Sequence, residues 1–162
     1  MRKVTFITPL EKQSPMEITS GKVFMPRYGP VAIASQLSVK GYDAIVFDEN
    51  VSDIIDWERV FSSDAVCFSL MSFCAAKGFE YIRRVRENSA AAIIIGGLHA
   101  SIMPDECLKH ADWVVRGEGD ETVNLLLERI FSGGDARDLE GISYSGADGA
   151  PADNAARAFM LS

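Results

Sequence analysis

Five short apolar runs, each followed by an amphipathic or turn-rich stretch, leave this chain few ways to fold. The runs are Val4–Ile7, Ala44–Phe47, Ala65–Leu70, Ala92–Ile95 and Trp113–Val115. Each is strand-length and rich in β-branched or aromatic residues, as a strand covered on both faces requires. Between the first two, "GPVAIASQLSVKG" puts Pro30 at an expected first helical position and Gly41 just past the end, with Ile33 and Leu37 on one face. "AAKGFEYIRRVREN" repeats Phe79, Ile82 and Val85 at helical spacing, with arginines on the opposite side. "DETVNLLLERIFSGG" is the clearest helix, carrying Val123, Leu126, Leu127 and Ile130 on one face. Asp120 and Glu121 suit the positive end of its dipole, and Gly133 suits its stop. Shorter helices are expected after Asp53 and after Pro104.

Five β–α units of this kind predict an α/β fold with a mostly parallel sheet and helices on both faces. Right-handed crossovers narrow the topology to a Rossmann-like, doubly wound sheet, with the flavodoxin-like order 2-1-3-4-5. "LEGISY" and the turn after it predict a C-terminal hairpin or extra strand.

The chain has 162 residues, 48% of them hydrophobic, which suits one globular core. Its formal charge of −7 comes from mixed acids and bases, so it lacks the basic face of a nucleic-acid reader. No apolar stretch approaches the roughly 20 residues a membrane helix needs. Cys67, Cys74 and Cys107 are odd in number and follow no metal-ligand spacing, and Cys67, in the apolar run "AVCFSLM", reads as a buried thiol, so the reducing cytoplasm is the expected compartment.

In a doubly wound fold, ligands collect beyond the carboxyl ends of the strands. The residues delivered there are Thr8 and Pro9 after strand one, and Asp48 and Glu49 after strand two. Strand three delivers Ser69, Met71, Ser72 and Phe73; strand four delivers Gly96, Gly97, Leu98 and His99. Strand five ends on Arg116, Gly117, Glu118 and Gly119. Two glycine-opened ends beside a pair of hydroxyls suit a broad ligand with a polar arm, and no acid–base–nucleophile set is evident. A phospho-receiver would need an aspartate after strand three and a lysine after strand five, where this chain has Ser69 and Arg116. A dinucleotide site would need Gly-x-Gly-x-x-Gly after strand one, which is absent. A flavodoxin would use a compact phosphate loop there; the long stretch with Glu11 and Pro15 fits that poorly.

"VCFSLMSF", "IIIGGLHASIMPDECL" and "DWVVRGEGDETVNLLLERI", in that order, resemble the amino-terminal cobalamin-binding domain of cobalamin-dependent radical SAM enzymes. "MPRYGPVAIASQLSVKGYDAIVFDEN" resembles its first helix and second strand, so the likeness covers roughly residues 2 to 145. It implies that the corrin ring and nucleotide tail lie against the strand ends, with Gly96 and Gly97 making room. Arg27 and Tyr28 become candidates to cover the ring's other side. It also implies a following radical SAM barrel, holding S-adenosylmethionine and an iron–sulfur cluster on a C-x-x-x-C-x-x-C motif. Cys67, Cys74 and Cys107 are not so spaced, so the expectation is a cobalamin-binding domain at 1–145 and a linker at 146–162 towards a barrel outside this sequence. The cobalt-ligating histidine of Asp-x-His-x-x-Gly modules is lacking between Thr8 and Gly29. Methyl transfer is the chemistry the resemblance implies for the full-length enzyme, with this domain not catalytic alone. A flavin-binding electron-transfer domain and a cobalamin-dependent sensor remain the alternatives.

Overall fold

A computed structural model describes residues 1–10 and 27–156. Five strands run parallel: β1 (Lys3–Thr8), β2 (Asp43–Asp48), β3 (Ala65–Ser69), β4 (Ala92–Gly96) and β5 (Trp113–Val115). An antiparallel hairpin, β6 (Ile142–Ser145) and β7 (Pro151–Asp153), extends the sheet from β5. The order β2-β1-β3-β4-β5-β6-β7 contains the expected 2-1-3-4-5 array and the C-terminal hairpin. Part of the 146–162 segment is therefore turn and strand, while residues 157–162 lie outside the described range.

Alternation along the strands divides the core in two. Ile94 faces one layer with Phe6, Cys67 and Val115, and Ile93 and Ile95 face the other with Ile7, Val66 and Phe68. The first layer is covered by α1 (Tyr28–Val39) through Ile33 and Leu37 and by α6 (Asp120–Ser132) through Val123, Leu126 and Leu127. The second is covered by α2 (Trp57–Phe61), α3 (Ala75–Asn88), α4 (Leu98–Ile102) and α5 (Pro104–Leu108). Each fully buried isoleucine contributes roughly 1.5–3 kcal/mol, so β4 anchors both layers at once.

Two local differences from the sequence reading have simple causes. Helix α1 begins at Tyr28, so Pro30 is its third residue; the first four helical N–H groups have no intrahelical acceptor, and proline is tolerated there. Strand β3 stops at Ser69 because the chain turns: the Leu70 amide still donates to Gly96 O at 2.9 Å, but its carbonyl accepts from His99 N at 3.0 Å.

Candidate functional site

At the carboxyl end of the sheet, the layer covered by α1 and α6 is left open. A slot of about 170 Å³ runs down between them. Its floor is apolar and buried: Phe6, Cys67, Ile94 and Val115 from the strands, Ile33 and Val123 from the helices. Its rim carries Gly29, Gly96, Gly97, Gly117 and Gly119, with Ser69 and Asp120 as the polar side chains.

The two adjacent glycines after β4 serve different purposes. Gly97 has φ +93°, and a Cβ there would lie 2.6 Å from Leu70 O and 2.8 Å from Leu70 N. What passes close to Gly97 is thus the chain's own β3 turn, in a conformation that side chains avoid. Gly96 continues β4 with alternation towards the slot, and a Cβ there would meet only Val115, at 3.8 Å or more. Gly97 builds the turn, and Gly96 keeps the slot open. A serine that the sequence reading passed over ties the two glycine ends together. Ser101 Oγ donates to Gly97 O at 3.2 Å and accepts from Gly117 N at 2.8 Å.

The other expected residues lie beyond the same strand ends, at varied depth, but do not line the slot. Thr8 is fully buried, and its Oγ1 has no hydrogen-bond partner. Pro9 is buried beside it, Met71 is half-buried, and Ser72, Phe73, Leu98 and Glu118 are exposed. Phe73, Leu98, Ile102 and Met103, on the segments that follow β3 and β4, are exposed apolar side chains, and Arg27 lies 5.8 Å from the Phe73 ring centre. His99 does not line the slot. It is 6% exposed, with Nδ1 at 3.2 Å from Ser72 Oγ, and Phe79 packs against it. Its Nε2 is 3.4 Å from Glu106 Oε2 without hydrogen-bond geometry. Arg116 turns away too, its guanidinium donating to Ile142 O and Asn154 O on the hairpin side.

Asp48 and Glu49, delivered by β2, clasp both stems of the long segment after β1. Leu10 N donates to Glu49 Oε2 at 2.8 Å and Arg27 N to Asp48 Oδ2 at 2.7 Å. Lys77 Nζ pairs with Glu49 at 2.7 Å, and Tyr81 OH donates to it at 2.9 Å. Burial opposes charge on Lys77, but Glu49 overrides it and holds the ammonium above its ordinary range. Burial and Glu49 likewise push the Tyr81 hydroxyl up. Residues 11–26, with Glu11 and Pro15, lie outside the described range.

All three cysteines are free and buried. Burial pushes the Cys67 and Cys74 thiols up, and burial with Glu106 nearby pushes Cys107 up to about 12. They are therefore protonated and poor metal ligands. Among the described residues no group of three or more His, Cys, Asp or Glu could hold a metal ion, and no helix is long and apolar enough to cross a membrane.

Comparison with known proteins decides the family. The B12-binding domain matches residues 18–127. The chain belongs to the B12-binding domain family. It is 24% identical over 160 residues to the anaerobic magnesium-protoporphyrin IX monomethyl ester cyclase of Rubrivivax gelatinosus, covering 91% of this chain and 28% of that protein. It is 27% identical over 133 residues to bacteriochlorophyllide d C-12(1)-methyltransferase of Chlorobaculum tepidum, covering 82% of this chain and 28% of that protein. Among solved structures it resembles TsrM, a radical S-adenosylmethionine methyltransferase from Kitasatospora setae with cobalamin and a 4Fe-4S cluster bound. There the TM-score is 0.76 at 17% identity, over 99% of this chain and 30% of that one. OxsB, a cobalamin-dependent S-adenosylmethionine radical enzyme with aqua-cobalamin bound, gives 0.75 at 17% identity, over 98% of this chain and 23% of that one. These two likenesses show the fold. This B12-binding domain spans less than a third of each of these proteins.

Proposed function

We propose that this domain binds cobalamin across the carboxyl end of its sheet, with the nucleotide tail in the slot and the corrin ring over the apolar residues beside it. The slot carries the reading. An apolar gap opened by five glycines at the strand ends is the concave, pre-formed kind of site that small ligands occupy. The residues fit the group: Gly96 leaves a cradle that any Cβ would narrow, above a floor of apolar side chains.

In this reading Gly96, Gly97, Gly117 and Gly119 let the tail approach the backbone, while Ser69 offers a hydroxyl to its polar groups from the rim and Thr8 packs behind the lining. Met71, Ser72, Phe73 and Leu98 support the ring; Pro9 and Glu118 flank it, and His99 holds the Ser72 turn in place. Bound cobalamin would supply a cobalt centre for group transfer, while the protein positions and shields it. The chain has 2 histidines. His110 stacks on Phe79 with ring centres 4.1 Å apart, and His99 is buried outside the slot lining, so in this reading neither would reach the cobalt. The cobalt(II) paramagnetic resonance spectrum is expected to lack splitting from a protein nitrogen and to be identical in His99→Ala.

The longer relatives support placing this domain beside a radical SAM barrel of the same full-length chain, which would carry S-adenosylmethionine and the iron–sulfur cluster. Methyl transfer is the chemistry we assign to that whole, and protonated, unpaired cysteines suit the cytoplasm. Titration with hydroxocobalamin and with flavin mononucleotide, followed by gel filtration and absorption spectroscopy, tests the reading. One equivalent of corrinoid retained with no flavin supports it. Retention of flavin alone would replace cobalamin by an electron-transfer role.

A further inference from the structure

We propose that the slot selects among cobamides by their lower base, accepting a benzimidazole or a phenol and disfavouring a purine. This inference rests on the cobalamin reading above. It comes from where the polar groups lie. The buried floor consists of Phe6, Ile33, Cys67, Ile94, Val115 and Val123, and none of these carries a strong hydrogen-bonding side chain. The Cys67 thiol, the most polar among them, is held protonated by burial and is only a weak donor. Ser69 and Asp120 sit at the rim, with Asp120 exposed, and Thr8 lies outside the lining.

Part of the adjoining backbone is also committed. Leu70 N bonds Gly96 O, His99 N bonds Leu70 O, and Gly117 N is taken by Ser101 Oγ. An apolar base that enters edge-first between the described floor residues meets carbon and sulfur there. A purine brings an exocyclic amine and additional ring nitrogens to the same depth, where they would lose water without gaining partners. Each such buried group weakens binding by roughly fivefold or more. A site built from carbon rejects polarity through this loss, not through shape.

The test is equilibrium binding of three hydroxo-cobamides, with benzimidazole, phenolic and adenine lower bases, to the folded domain. The expected result is similar affinity for the first two and at least about tenfold weaker binding of the adenine form. The phenolic form matters because its base cannot ligate cobalt, so its retention shows that apolarity is what the slot reads. Val123→Thr, which places a hydroxyl on the slot wall, is expected to narrow the ratio, with the urea midpoint reporting that the fold is intact. Equal affinity for benzimidazole and adenine forms, or tighter binding of the adenine form, would overturn the selectivity. Binding of none of the three would instead remove the cobalamin reading itself.

Discussion

At the amino end of the sheet, Asp64 and Asp112 each accept an amide from the start of a strand and pair with an arginine. Lys3 N donates to Asp64 Oδ2 at 2.8 Å beside Arg2, and Ile93 N to Asp112 Oδ2 at 2.7 Å beside Arg86. At the carboxyl end, β4 finishes on Gly96 and Gly97 and β5 runs into Gly117 and Gly119, and a slot opens between sheet and helices. One end is closed by carboxylates that satisfy the backbone; the other is held open by residues without side chains. In the proposed reading, stability and binding fall at different ends, although the glycine pair shows that the division runs between neighbouring residues.

The largest expected effect breaks the open end itself. Gly97→Val forces a Cβ onto the Leu70 peptide at a φ of +93°, and a loss of about 3 kcal/mol or more in urea unfolding is expected. A Gly97 variant as stable as the parent would show that the turn is not what requires glycine. At the closed end, Asp112→Ala strands the Ile93 amide and the Arg86 guanidinium and is expected to cost about 1–2 kcal/mol. Its corrinoid affinity is expected to stay unchanged, and a parallel loss of affinity would show that the two ends are not independent.

The smallest effect is that of Asp64. Burial opposes its ionisation, but the Lys3 amide and Arg2 prevail and hold its carboxyl below the ordinary aspartate value. A carboxylate depressed in the folded state stabilises above its unfolded value, and that share is lost as pH falls through the folded value. Asp64→Asn is therefore expected to cost about 1 kcal/mol or less at neutral pH, with the gap to the parent closing only on acidification below 3.8. A gap that persists unchanged in acid would assign the effect to packing.

Most of this architecture was legible in the sequence because it is periodic. The isoleucine run of β4, the helical face of Val123, Leu126 and Leu127, and the stop at Gly133 follow from local pattern. The glycine-lined edge was legible too, but not the division of labour within it. That depends on Leu70, twenty-seven residues before Gly97, whose peptide comes within 2.6 Å of where a Cβ would sit. Ser101 and the Asp48–Glu49 clasp stayed hidden for the same reason: a lone polar residue acquires meaning only when the fold brings its partner. His99 was conspicuous in sequence, yet its ring packs among Ser72, Phe79 and Glu106.

The claim that Gly96 keeps a slot open for the nucleotide tail is tested most directly by a four-way binding measurement. Cobalamin and cobinamide, which lacks the tail, are each titrated into the parent domain and into Gly96→Val, with urea midpoints recorded alongside. The parent is expected to bind cobalamin at least about tenfold more tightly than cobinamide, through burial of the tail's apolar base. In Gly96→Val that advantage is expected to vanish, with cobinamide affinity and stability little changed, because a Cβ there would meet only Val115, at ordinary contact distance. A Gly96→Val domain that keeps the full preference for cobalamin would contradict the account.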